Sequence, residues 1–196
     1  MGPGPVEAHV AHARGFLEVT RPLLPGRVVD LGSGGGIPGL VLAAEWAGGG
    51  VDGVALALVD ANQRRVAFLR RAVRMLGFGN VQVVHQRGEE LGRDLAWRGR
   101  VGLVVARSFG PPAVLAECAA PLLRVGGHLL VSEPPDSSQE DPAAARWPEA
   151  GLRQLGQRSL SRPVVRRARY QLIRQEEACP TRYPRRVGIP AKRPLF

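Results

Sequence analysis

The residues best suited to chemistry stand where apolar segments end. Asp30 follows the apolar pair Val28–Val29 and precedes Gly32, Gly34, Gly35, Gly36 and Gly39, five glycines within twelve residues. So many glycines imply a backbone that turns unusually or is approached closely by a ligand. Two spacings fit. Gly34, Gly36 and Gly39 satisfy the dinucleotide fingerprint G-x-G-x-x-G, which would place a pyrophosphate at a helix start. Asp30, Gly32, Gly34 and Gly36 satisfy acid-x-G-x-G-x-G. A carboxylate at the loop's mouth repels a phosphate and attracts a cation, so Asp30 favours a cationic ligand. The competing reading makes Asp30 a cap on the loop's own amides. Asp60 stands 24 positions after Gly36 and suits ribose hydroxyls, or else a helix cap. Gly88 and Glu89 follow a third apolar segment, at another strand end where a ligand could be met. Alternatively Glu89 and Glu90 are a solvated first helical turn.

These residues need a scaffold that brings segment ends together. Val6–Leu24 has apolar residues Val6, Val10, Ala13 and Leu17 at helical spacing, with His9 and His12 expected on the helix surface. "RVVDL" predicts a buried strand, and a helix begins near Pro38. "VALALVD" predicts a second strand, and Asn62 caps a helix over 63–77. "NVQVVHQ", "VGLVVARSFG" and "GGHLLVSEPP" predict further strands, with a helix over "PPAVLAECAAPLL". The alternation predicts an α/β fold: a doubly wound, mostly parallel sheet with helices on both faces. Ligands of such sheets sit at the carboxyl ends of the strands, where the glycine loop lies.

One domain over 1–196 is expected, with an N-terminal helix (1–25) and a ligand-binding core (26–133). An exposed loop (134–150) and a basic C-terminal part completing the sheet (151–196) follow. Within the last part, "RPVVRRARYQLIR" predicts one strand. The formal net charge is +10. Residues 1–150 hold 15 Arg against 15 acids, and residues 151–196 hold 12 basic residues against Glu176 and Glu177. Basic charge gathered in one segment predicts a polyanionic partner. Cys118 and Cys179 lack metal-site spacing, so no metal is expected. There is no apolar run of membrane-spanning length and no signal-peptide pattern, which predicts a cytoplasmic protein without membrane contact; a monomer is expected.

The stretches "VVDLGSGGGIPGLVLA", "LVDANQRRVAFLRRA", "QRGEEL", "ARSF" and "RYPRRVGIPAKRPL" together resemble the bacterial 16S rRNA guanine-N7 methyltransferases, the glucose-inhibited division protein B family. The resemblance runs over 27–131 and returns at 182–195. It implies a Rossmann-like class I methyltransferase fold and S-adenosyl-L-methionine as cofactor. The implied cofactor-binding residues are Asp30, Gly32, Gly34, Gly36, Ile37, Asp60, Gly88, Glu89 and Arg107. It implies N7-methylation of a guanine in 16S rRNA or the small ribosomal subunit. Guanine N7 carries a free lone pair, so no general base is expected. Substrate contacts are expected from Phe109, Arg166, Arg167, Arg169, Arg185, Arg186 and Lys192. The chain departs from the family in a shortened N-terminal region and in "SEPP", where a lysine or glycine segment is usual. Those departures leave two alternatives: a related enzyme acting on another RNA or small molecule, or a non-catalytic RNA-binding relative.

Overall fold

The computed structural model describes residues 5–23, 26–48, 53–134 and 146–196. Seven strands form one path, ordered β3-β2-β1-β4-β5-β8-β6, with β7 paired to β8. The strands are β1 (Arg27–Leu31), β2 (Ala55–Asp60), β3 (Val81–His85), β4 (Val101–Ala106), β5 (Leu123–Glu133), β6 (Gln157–Ser161), β7 (Val164–Val165) and β8 (Ala168–Gln175). The first five pair in parallel, while β8 runs antiparallel to β5 and β6. β1 and β4 are apolar runs because helices cover both faces of the sheet centre.

Helices α1 (Val6–Thr20), α2 (Gly39–Gly48) and α3 (Gln63–Met75) cover one face. Phe16, Leu42, Trp46 and Leu69 pack there on Val28, Leu58, Leu103 and Leu130. The other face carries α4 (Gly88–Leu91), α5 (Pro112–Ala119), α6 (Glu149–Arg153) and the C-terminal turn α7 (Ile189–Lys192). Leu91, Leu115, Leu152 and Tyr183 pack there on Val29, Val104 and Leu129. Asn62 caps α3 as expected: its side chain accepts from the amides of Arg64 and Arg65 at 2.9 and 3.3 Å.

Three expectations change. The first helix buries His9, Ala13, Phe16 and Thr20, so its core face is rotated from the predicted one and Val6 is 57% exposed. The single strand expected over 162–174 is a hairpin, turned at Arg166 and Arg167 with φ of 50° and 67°. An unpredicted edge strand, β6, precedes it. Of the loop expected over 134–150, residues 135–145 lie outside the described residues, and α6 begins at Glu149.

Candidate active site

The carboxyl ends of β1, β2, β3 and β4 surround a cavity of about 260 Å³. Gly32, Asp60, Arg65, Gly88, Glu89 and Phe109 line it. The glycine loop is held open by carboxylates beneath it. Asp60 Oδ2 accepts the Gly34 amide at 2.9 Å, and its Oδ1 accepts the Asn62 amide at 2.7 Å. Asp30 Oδ2 accepts the Gly39 amide at 3.0 Å, fixing the start of α2. Gly32 takes φ of 75°, and a Cβ there would lie 2.6 Å from the Phe109 ring. The backbone is therefore approached closely at Gly32, as the glycine run requires.

Not every expected residue faces this cavity. Asp30 is only 1% exposed and stands behind the loop. Its Oδ1 is buried with no hydrogen-bond partner. Burial pushes its carboxyl up to about 7, against the lowering effect of the Gly39 amide and Ser33. Gly36 is packed against Leu40 and Leu69, while Gly34 and Ile37 are half-buried in the loop. Arg107 lines a neighbouring cavity instead.

That second cavity measures about 560 Å³. Ser108 and Phe109 line both, so they form the wall between them. Ser108 holds φ of 55°, which is uncommon outside glycine, and the turn lays the Phe109 ring over Gly32 and Gly88. Arg107, Arg146, Arg166, Arg167 and Arg169 all line the larger cavity. Arg146 meets Glu133 at 2.8 Å, and Arg166 meets Glu18 at 2.8 Å. Arg107 Nη2 donates to His9 Nδ1 at 2.8 Å. A guanidinium has no acceptor, so His9 Nδ1 is the accepting atom of this contact. His12 also lines the cavity; burial, then the charge of Arg107, lowers its pKa.

The expectation of surface histidines is thus corrected. His9 is 6% exposed beneath Arg107, and His12 forms cavity wall. The i, i+4, i+7, i+11 series His9, Ala13, Phe16, Thr20 carried that signal, but it required counting a histidine as a core residue.

The C-terminal segment closes one side of the smaller cavity. Glu89 Oε1 accepts the Gly188 amide at 3.0 Å, and Ala191 lines the smaller cavity. Arg185 does not reach either cavity. It grips Glu117, which is fully buried in α5, through its amide at 2.8 Å, Nε at 2.8 Å and Nη2 at 2.6 Å. That hydrogen bonding raises the Arg185 pKa. A lone acid in the apolar run of α5 was the signal of such a pair. Arg98 further ties the tail down through the carbonyls of Tyr183 and Cys179. Arg186 and Lys192 are exposed beside these anchors.

The pattern of the GidB family, rRNA small subunit methyltransferase G, matches residues 8–145. The chain belongs to the GidB family. The family's ribosomal RNA small subunit methyltransferase G of Moorella thermoacetica is 36% identical over 172 residues, covering 86% of this chain and 69% of its own. The enzyme of that name from Thermotoga sp. strain RQ2 is 34% identical over 187 residues, covering 93% and 79%. The fold matches a SAM-dependent methyltransferase from Aquifex aeolicus with a TM-score of 0.63 at 15% identity, covering 87% of this chain and 93% of that one. Membership places this GidB chain among the methyltransferases, on a Rossmann-like sheet.

Proposed function

We propose that the protein methylates N7 of a guanine in small-subunit rRNA, with S-adenosylmethionine as donor. The residues of the smaller cavity fit that cofactor. Gly32 offers bare backbone, Asp60 and Glu89 offer carboxylates for hydroxyl and amino groups, and the orphaned Asp30 Oδ1 places negative potential under the loop. When bound, the cofactor supplies an electrophilic methyl carbon on a sulfonium.

The observation that carries the proposal is the shared wall. A donor cavity and an arginine-lined acceptor cavity meet at Ser108–Phe109. The N7 lone pair forms the new bond to carbon while the sulfur–carbon bond breaks, and no proton leaves the base. The protein's work is alignment and exclusion of water. The methylated base is a cation, which guanidinium groups would repel, so Arg107, Arg166, Arg167 and Arg169 suit the phosphates flanking the base. Phe109 offers a ring on which the base can stack.

The test is methylation of small subunits and of protein-free rRNA, read by mass spectrometry of nucleosides. N7-methylguanine is expected from at least one substrate. Its absence from both, with the cofactor bound, overturns the proposal.

A further inference from the structure

Helix α3 carries a second basic surface that the reaction does not use. Its thirteen residues include Arg64, Arg65, Arg70, Arg71 and Arg74 and no acid. Only Val66 and Leu69 of the helix are buried. Arg65 lines the smaller cavity and lies 3.7 Å from Asp60. Arg64, Arg70, Arg71 and Arg74 are exposed and form no ion pair among the described residues. Arg64, Arg71 and Met75 recur at i, i+7 and i+11, with Phe68, 42% exposed, beside them and Arg74 and Arg70 flanking. One solvent face is thus cationic with an aromatic and a thioether inserted in it.

Part of this charge works against the helix that bears it, although Arg74 in the last turn suits the dipole. Arg64 and Arg65 stand in the first turn, where the helix dipole disfavours cations and no acid offsets them. Arg70 and Arg74 are a like-charged i, i+4 pair. Helix stability therefore does not explain the pattern, whereas a polyanion does.

We infer that the exposed face of α3 docks RNA backbone at a distance from the methylated base, so that the substrate is a folded or extended RNA rather than a short oligonucleotide. α3 and α1 cover the same face of the sheet, and Arg166 of the arginine hairpin is bound to Glu18 of α1. Four strand spacings separate β2, beside α3, from β8, which carries the hairpin. At 4.7–4.9 Å each that is about 19 Å, the reach of roughly six stacked nucleotides. The inference takes its class of partner from the proposed function, but nothing in it depends on N7 chemistry.

The experiment compares wild-type protein with the triple variant Arg70→Gln, Arg71→Gln, Arg74→Gln. Binding to small-subunit rRNA and to a guanine-containing trinucleotide, too short to reach from the arginine hairpin to α3, is followed across salt concentration. Loss of three phosphate contacts should lower the slope of log affinity against log salt by about 2–3 for rRNA. The trinucleotide slope and the cofactor affinity should not change. The triple lysine variant should restore the rRNA slope. An unchanged rRNA slope in the glutamine variant overturns the inference, as does failure of the wild type to bind RNA. Weakened binding to intact subunits with unchanged binding to protein-free rRNA also overturns it, since α3 would then face a protein. RNA binding with the expected slope change but no N7-methylguanine overturns the proposed function and leaves this inference standing.

Discussion

Replacing Glu117 by alanine tests how the C-terminal segment is held. Glu117 is 0% exposed and Arg185 26% exposed, and the pair shares an amide contact and a two-pronged guanidinium contact. Removing one partner of a buried pair costs about 3–5 kcal/mol, because the other is left desolvated and unpaired. Water can reach part of Arg185, so the lower end, about 3 kcal/mol, applies. In a domain of this length each kcal/mol moves the midpoint by about 2–4 °C, so a fall of roughly 6–12 °C is expected by calorimetry. The loss should extend to the cofactor, because Gly188 and Ala191 follow Arg185 and meet the smaller cavity. Titration calorimetry with S-adenosylmethionine should show weaker binding. Glu117→Gln retains an acceptor and the volume, and should lose less on both counts. A Glu117→Ala protein that melts within about 2 °C of wild type would refute the reasoning, since the tail would then be held by something other than this pair.

Asp30→Asn tests the orphaned carboxylate. Its pKa of about 7 in the fold lies above the ordinary carboxylate value of about 4, so the unfolded chain releases its proton first, and the group's contribution to stability is lost as pH rises from about 4 to about 7. Wild-type stability relative to the variant should fall by up to about 1.4 kcal/mol per pH unit through that window; parallel pH profiles would show that Asp30 is not the cause. Gly32→Ala places a Cβ against the Phe109 ring at a positive φ, and should abolish cofactor binding while costing about 1–2 kcal/mol in stability. Retained binding by calorimetry would remove Gly32 from the cofactor surface. Replacing Arg166–Arg167 by Asn–Gly supplies the residues that a two-residue hairpin with positive φ prefers. The melting point should rise while rRNA affinity falls, because relief of two strained residues outweighs an exposed Glu18 pair worth at most about 1 kcal/mol. A fall in both would show that the arginines are structural.

The parallel core was legible because β1, β2, β4 and β5 are apolar runs bounded by turn signals, and Asn62 is a cap in sequence and in space. The C-terminal part was less so. Arg166 and Arg167 take turn conformations that their types disfavour, so local chemistry pointed to a continuous strand and long-range pairing decided otherwise. β6, with the sequence QRSLS, has no alternation to mark it and owes its place to pairing with β8. Asp30 looked like a ligand residue from its spacing. Its contact with the Gly39 amide makes it a loop anchor, and its free Oδ1 is what keeps the electrostatic reading in play. Arg185 belonged to a basic tail in sequence, yet only the packing of α5 reveals that its charge is spent on Glu117.

The same contrast explains why the charge count misleads. Residues 1–150 balance in number, but their charges do not share one environment. Asp30, Asp60, Glu89 and Glu117 are buried, each at most 8% exposed. Each accepts a backbone amide, from Gly39, Gly34, Gly188 and Arg185 respectively. These acids are therefore directed inward, at the loops that shape the smaller cavity and its C-terminal cover. The arginines of α3 and of the hairpin remain outside. Among the described residues, segment 1–150 thus exposes more arginines than acids, and the field an approaching polyanion meets is broader than the C-terminal excess alone would produce. Acids that fix the loops and arginines on the surface are two halves of one arrangement: burying the former is what leaves Arg64, Arg70, Arg71 and Arg74 without an acidic partner among the described residues.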